Sequence, residues 1–550
     1  MSQNQARTLE FDYVVVGAGS AGCVVAARLG ADPTVTVALI EAGPTDDDSG
    51  LRVPLHSVHQ FGTTRDWGLA TVAQPGLDGR VVYWPRGKGI GGCSTMNFQM
   101  WVPGFRADFH DWQAAAGPSW SWELMSRHLR RAERWAGNTA EGFGSTGPQW
   151  ISPPADPDPS TRAFLDACAA AGLPGPAGGL ADPAGAGSAL TPLTQRDGSR
   201  FSVADAYLRP AVARGEVTVL TDRTVHRILL DDNDNAVAVD LGDQTVVARR
   251  EIVLSAGTVG SAQLLLRSGI GPGERIAAAG VRPRVDLPGV GANLHDHVIM
   301  HLPYSVVGSD RFADLAGAEA RRQYDEERRG PLTSNIGEAV AFVGPGAAPD
   351  LELIWSPIAL DEQGFVSGRT LSVVLLRPDS RGRLDLIDAD PATPPRLDPA
   401  YLTAPADLSR LIDGYHAART IARTAPLASM IGAPLVALPD TRTEIADFVR
   451  ASATTVFHPV GTCRIGRAGD EMAVVDEALR VRGVGRLRVA DASVIPRSPR
   501  GHTNAHAVMI GERAAELIGS AGAPLAAVAP AIDSESDHAE VGYRKGSDLG

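Results

Sequence analysis

The chain has 550 residues, with 51 Lys and Arg against 64 Asp and Glu, a formal net charge of −13 at pH 7. That length exceeds what one core usually supports, so two or more domains are expected; 44% hydrophobic and 21% charged residues describe a globular chain rather than a disordered or fibrous one. The acidic balance repels phosphate backbones and anionic membranes, which argues against nucleic acid or a membrane as partner.

The first residues show no secretory leader pattern, and no apolar run approaches the ~20 residues a spanning helix needs, so a cytoplasmic protein is expected. Cys23, Cys93, Cys168 and Cys463 lie far apart, with no CxxC pair and no metal-ligand spacing. Isolated thiols suit a reducing compartment, and no metal is expected. Residues 11–16 form a short β-rich run, 21–29 a small-residue helix and 35–40 a second strand. Between the first strand and the helix stands Gly17-Ala18-Gly19-Ser20-Ala21-Gly22. Its first glycine permits a tight turn, the second lets amides at the helix N-terminus approach a pyrophosphate, and the third allows close helix–strand contact. Glu41 closes the second strand, where a carboxylate accepts ribose hydroxyls, and the Ala42-Gly43 that follows disfavours a 2′-phosphate. This cradle suits FAD and NAD equally, so an NAD-linked dehydrogenase is the rival at this level.

A second glycine-dense loop, Arg86-Gly87-Lys88-Gly89-Ile90-Gly91-Gly92-Cys93-Ser94-Thr95-Met96-Asn97, brings backbone close to something flat or bulky. Residues 153–187 are rich in Pro, Gly, Ala and Asp, with one helix over 161–171, and read as an excursion or hinge. Strands are expected at 217–220 and 251–254, flanking a hairpin-like region over 228–247. From 297 to 450 come long polar helices and strands such as 371–376, the pattern of a substrate domain. Short strand and glycine signals follow, then a helix over 507–518 and a tail from 521 expected to be disordered.

The glycine-dense loop, with Asp66-Trp67 before it, resembles the flavin-contacting loop of the glucose–methanol–choline (GMC) oxidoreductases, and of their choline oxidase and choline dehydrogenase branch in particular. Further blocks at 251–272, 287–297, 377–382, 457–463, 487–496 and 501–504 are similar to the family in the same order, covering all but the tail. The resemblance implies an α/β chain, α+β overall: a Rossmann-type FAD-binding domain from 1–155, 201–297 and 452–520, and a substrate domain of antiparallel sheet and helices from 156–200 and 298–451. It implies FAD, with the ADP half on Gly17, Ala18, Gly19, Ser20, Gly22, Glu41 and Val225 and the ring near Gly91, Gly92, Ser94, Asn97, Asp491, Ala492 and Asn504. In choline oxidase a histidine of this loop is bonded covalently to the flavin. Met96 stands there instead, so non-covalent FAD is expected.

Removing a hydride from a carbinol carbon requires the hydroxyl proton to leave as well, a task suited to neutral imidazole. The resemblance assigns it to His458 of the Phe457-His458-Pro459 turn, with His502 positioning the alcohol oxygen. It implies oxidation of an alcohol to the aldehyde by hydride transfer to flavin N5, the flavin being reoxidised by O2 or another acceptor, in a monomer or dimer. The substrate pocket is assigned to Glu338, Ile354, Trp355 and His506, and Ile354 with Trp355 favours an uncharged primary or aromatic alcohol over choline. His295 and His297, flanking Asp296, read as a structural junction rather than a metal site, and Ser94 with His458 lacks the GxSxG elbow of a serine hydrolase. The alternatives are a hydroxynitrile lyase-like flavoprotein that uses the same base without net redox chemistry, and a redox-silent one, which has no need of paired bases.

Overall fold

The computed structural model describes residues 7–138, 142–176, 179–361, 364–519 and 544–545. The expected disordered tail lies outside these, apart from Arg544–Lys545, which pairs with the Thr218–Thr221 strand.

Runs of Val, Ile and Leu that are apolar at every position must be covered on both faces, and such runs form a parallel sheet. Leu487–Val489, Gln244–Leu254, Arg7–Val16, Val37–Ile40 and Thr218–Thr221 lie side by side and parallel, with Val14, Val15, Leu39, Ile252 and Val253 wholly buried. Arg227–Leu230 and Ala236–Asp240 extend the sheet as an antiparallel meander on the first half of Gln244–Leu254. That first half alternates buried and partly exposed residues, the pattern of a half-buried strand; the strand therefore begins seven residues before the apolar run at 251–254.

The Ser20–Gly30 helix follows the first strand and is buried along its whole length. It is covered by the C-terminal helix Thr503–Gly519, which crosses it so closely that a Cβ on Gly511 would stand 2.8 Å from the Ala21 carbonyl oxygen. This C-terminal helix begins four residues before the expected 507. Polar Thr503 and Asn504 carry no apolar periodicity to announce its first turn, although such residues favour helix starts.

A second, antiparallel sheet runs in the order Ile431–Pro434, Val298–Val306, Arg369–Leu375, Leu351–Ser356, Ala339–Val343, Gly187–Leu190, with Thr454–Thr455 added beside Val298 and Ile299. One face packs on the helices Pro159–Ala170 and Pro405–Ala422. The other faces a large cavity. The architecture is thus a Rossmann-type α/β unit joined to an antiparallel sheet with helices. No helix among the described residues is long and apolar enough to cross a membrane.

Glu512 fastens the C-terminal helix to the first one. Its carboxylate is fully buried and accepts from Arg28 Nε at 3.0 Å, Tyr207 Oη at 2.7 Å and Arg131 Nε at 2.9 Å. Burial raises its pKa, but the Arg28 and Arg131 charges outweigh burial and hold it below the ordinary value. A folded-state pKa depressed in this way contributes stability above the unfolded pKa, about 4.3, and loses it as pH falls through the folded value. Glu512→Gln leaves Arg28 buried without its counter-charge and should lower unfolding stability at neutral pH by about 3–5 kcal/mol. In thermal melts the gap to the parent protein should close as pH is lowered below about 4.

Candidate active site

One cavity of about 570 Å³ runs from Gly17, Gly19 and Ser20, past Gly92 and Asn97, to His458 and His502. Glu41, Val225, Asp491, Ala492, Asn504 and Ile354 also border it. Its wall is drawn from both sheets and both ends of the chain.

At the cradle end, Gly19 precedes the Ser20–Gly30 helix without a side-chain cap, so first-turn amides point at the cavity with the positive end of the helix dipole. A Cβ on Gly22 would stand 1.9 Å from the Gly17 carbonyl oxygen; only glycine lets the helix start this close to the turn. Glu41 accepts from the amides of Ala18 at 2.8 Å, Gly43 at 2.9 Å and Gly89 at 3.0 Å, and so joins the two glycine loops. Three other expected cofactor residues stand behind the wall rather than on it. The Ala18 amide holds Glu41, the Gly91 amide donates to the Ala18 carbonyl, and Ser94 Oγ donates to the Gly91 carbonyl at 2.6 Å while accepting from the Val203 amide. They shape the loop.

In the middle, Asp491 accepts from the Gly257 and Ser493 amides and from Ser261 Oγ. Asn504 Oδ1 accepts from Ser20 Oγ at 2.7 Å, which fixes the amide and leaves Nδ2 a buried donor with no partner among the described residues. Asn97 Oδ1 accepts from Arg200, whose guanidinium also donates to the Leu51 and Ser94 carbonyls and Ser57 Oγ. Burial lowers the Arg200 pKa to about 9.

At the far end, His458 and His502 face each other edge-on, with ring centroids 4.9 Å apart. Phe457 takes a positive φ of 67°, uncommon for a bulky residue, and its neighbours over-determine it. Its amide donates to Thr455 Oγ1 at 2.7 Å, its carbonyl accepts from Arg86 at 2.8 Å, and the His458 amide donates to Asp296 Oδ1 at 2.8 Å. His458 Nδ1 lies 3.0 Å from His297 Nδ1, and His297 Nε2 lies 3.0 Å from the Pro499 carbonyl. Burial pushes the His458 pKa well below its usual value, and His502, His297, Arg86 and His506 push it the same way. His502 is held by its amide on the Val102 carbonyl and by Nε2 on Glu352 Oε1 at 3.1 Å.

Three expected pocket residues lie elsewhere. On the Leu351–Ser356 strand Ile354 and Ser356 face the cavity, so Trp355 faces the other way; it stacks on Phe164 with centroids 5.6 Å apart. Glu338 is buried behind the sheet, accepting from Thr161 Oγ1, Ser334 Oγ and the Asp158 amide, and burial raises its pKa to about 7. His506, one turn into the C-terminal helix, packs on Phe109 and Trp112, and burial lowers its pKa to about 4. Sequence reasoning in turn passed over Glu352 and took Asp296 and His297 as a structural junction alone. Glu352 shares its strand face with Ile354, two residues on, so strand parity could have found it. His301, deep in the protein yet open to the cavity beside Ser372, is another; burial lowers its pKa to about 4.

Residues 11–299 and 378–511 match the N- and C-terminal models of the family described as GMC oxidoreductase. The chain belongs to the GMC oxidoreductases. It is 43% identical to an uncharacterized GMC-type oxidoreductase of Mycobacterium tuberculosis, over 92% of this chain and 99% of that one. It is 34% identical to an alcohol dehydrogenase [acceptor] of Pseudomonas putida, over 92% and 95%. Among solved structures, pyridoxine 4-oxidase from Mesorbium loti superposes with a TM-score of 0.83 at 31% identity, covering 92% of this chain and 98% of that one. GMC oxidoreductases are FAD-dependent and act on alcohol-type substrates. The residues here fit FAD: uncapped amides for a pyrophosphate at Gly19 and Ser20, and an unsatisfied Asn504 Nδ2 for a polar edge of the cofactor ring.

Because Glu338 is turned away from the cavity, Glu338→Gln should change the kcat/KM ratio between cationic and neutral alcohols by less than about twofold, as expected for a residue outside the substrate pocket. A selective loss of cationic alcohols in a steady-state panel would contradict this placement.

Proposed function

We propose that this GMC oxidoreductase oxidises an uncharged primary alcohol with an apolar or aromatic body to the aldehyde, with His458 as the base. The observation that carries this reading is the pair of facing imidazoles at the end of the FAD cavity, with His458 engaged through Nδ1 and His502 anchored through Nε2 on Glu352. The wall beside them is apolar, formed by Phe61, Phe98, Ile336, Ile354, Val456 and Phe457. The cavity's carboxylates, Glu41 and Asp491, are already engaged by backbone amides.

When bound, FAD would supply the two-electron acceptor for the carbinol hydride, to be reoxidised by O2 or another acceptor. The hydroxyl O–H bond breaks as its proton moves to His458 Nε2, and the electron pair left on oxygen forms the carbonyl as the hydride departs. His502, its ring fixed by Glu352, orients the alcohol oxygen; the apolar wall excludes water and aligns the carbinol C–H. Met96 borders the cavity, and a thioether forms no histidyl-type tether, which supports non-covalent FAD. The relatives named above are oxidoreductases, and no observation favours a lyase. A reducing cytoplasm is the compartment we propose.

Adding an uncharged primary alcohol under anaerobic conditions should bleach the flavin's visible absorbance; a lyase would leave it unchanged. His458→Ala should slow that bleaching by ~10²-fold or more, and a parent-like rate would exclude His458 from proton transfer. Since burial lowers the His458 pKa, the imidazole stays a base into acid: the parent's reduction rate should be flat above the ordinary imidazole pKa of about 6.5, with any falling limb on the acid side. Precipitation with trichloroacetic acid should leave the yellow colour in the supernatant; colour in the pellet would show a covalent link.

A further inference from the structure

We infer that His297 sets the tautomer of His458, acting as a positioning residue that aims the bare Nε2 of His458 at the alcohol. The inference deepens the proposed function and rests on His458 being its base.

The argument starts from an atom with no choice. A carbonyl oxygen only accepts, so His297 Nε2, 3.0 Å from the Pro499 carbonyl, carries a proton. His297 is buried, and burial together with His502, Arg377 and His506 favours the neutral ring. A neutral ring protonated at Nε2 has a bare Nδ1. That Nδ1 lies 3.0 Å from His458 Nδ1, so the proton between them belongs to His458. His458 is likewise held neutral by burial among His502, His297, Arg86 and His506, with Asp296 engaged on its amide, so its Nε2 is bare. Nε2 has no hydrogen-bond partner among the described residues, and His458 borders the cavity. The chain of donation therefore runs from His458 Nδ1–H to His297 Nδ1, and from His297 Nε2–H to Pro499. Without His297 the two neutral tautomers of His458 compete, and one presents a proton where a lone pair is needed. When His458 takes the hydroxyl proton, its Nδ1–H bond to His297 becomes charge-assisted and strengthens.

Two isosteric amides separate the parts. His297→Asn places an amide oxygen where Nδ1 stands, keeping the acceptor and losing the tie to Pro499. His297→Gln keeps a donor where Nε2 stands and has a methylene in place of the acceptor. The measurement is the anaerobic flavin-reduction rate at saturating alcohol, with FAD content and alcohol Kd determined for each variant. H297Q should be slower by about tenfold to a hundredfold, the range seen when a partner that orients a reactive imidazole is lost. H297N should stay within about threefold of the parent. In a His458→Ala background H297Q should slow nothing further, because its effect passes through His458. Equal rates for the two variants, the reverse order, or an H297Q effect undiminished in the H458A background would overturn the inference. A parent-like rate for H458A alone would instead remove the base assignment on which it rests.

Discussion

Glu512 joins three elements that precede it by 305 to 484 residues: the first Rossmann helix through Arg28, the Trp122–Ala132 helix through Arg131, and the segment before residue 210 through Tyr207. A buried carboxylate is costly unless it is paired and its lone pairs are filled, and here both conditions are met. The consequence is geometric. Gly511, the preceding residue, lets the C-terminal helix ride against the Ala21–Val24 turn of the first helix, and the start of that helix then lies along the FAD cavity. Asn504 reaches Ser20 of the cradle because of this docking. The cradle holds the nucleotide end of the cofactor, and the same clamp sets where His502 and Asn504 stand relative to it.

The second sheet completes the chamber by a different route. Its central strands, Leu351–Ser356 and Arg369–Leu375, are buried on both faces, but the two faces do different work. Helices Pro159–Ala170 and Pro405–Ala422 cover one, where Trp355, Phe164 and Glu338 make a packed and hydrogen-bonded interior. The other presents Ile299, His301, Ile354, Ser356, Thr370 and Ser372 to the cavity. A strand alternates faces residue by residue, so one position decides whether a side chain meets substrate or supports the sheet.

That parity explains much of what was legible in the sequence. The βαβ cradle was readable because its signals are local: an apolar strand, glycines at fixed offsets and an acid closing the next strand. The ordered family blocks carried the cofactor and the histidine pair. Ile354 and Trp355 were assigned to the pocket together, which adjacent strand residues do not satisfy, so Trp355 and Ile354 fall on opposite faces. His506 was misplaced for a related reason. With the helix beginning at Thr503, helical spacing keeps Thr503, Asn504 and Ala507 on the cavity and turns His506 into the core with Phe109 and Trp112. Glu352 and His297 were not legible as partners of the histidine pair, because each acts across a long sequence gap that only the packed sheets close.

The His295-Asp296-His297 run, a junction by sequence, shows what such a junction does physically. His295 Nδ1 meets the Asn293 carbonyl at 2.6 Å, and its Nε2 accepts from the Ser498 amide at 2.9 Å, fixing the approach to the His502 loop. Asp296 gathers the Thr455 and Tyr401 hydroxyls and the His458 amide, fixing the Phe457-His458 turn in its uncommon backbone conformation. His297 then touches both loops at once, His458 through Nδ1 and Pro499 through Nε2. Three consecutive side chains thus lock two loops that lie about forty residues apart in sequence. Burial makes charge costly for both histidines, so each meets one acceptor and one donor in a single tautomer, and the acid accepts in three directions at once. A metal ion between the two histidines would compete with every one of these bonds. The block fixes hydrogen-bond direction, and through it the way the base is presented.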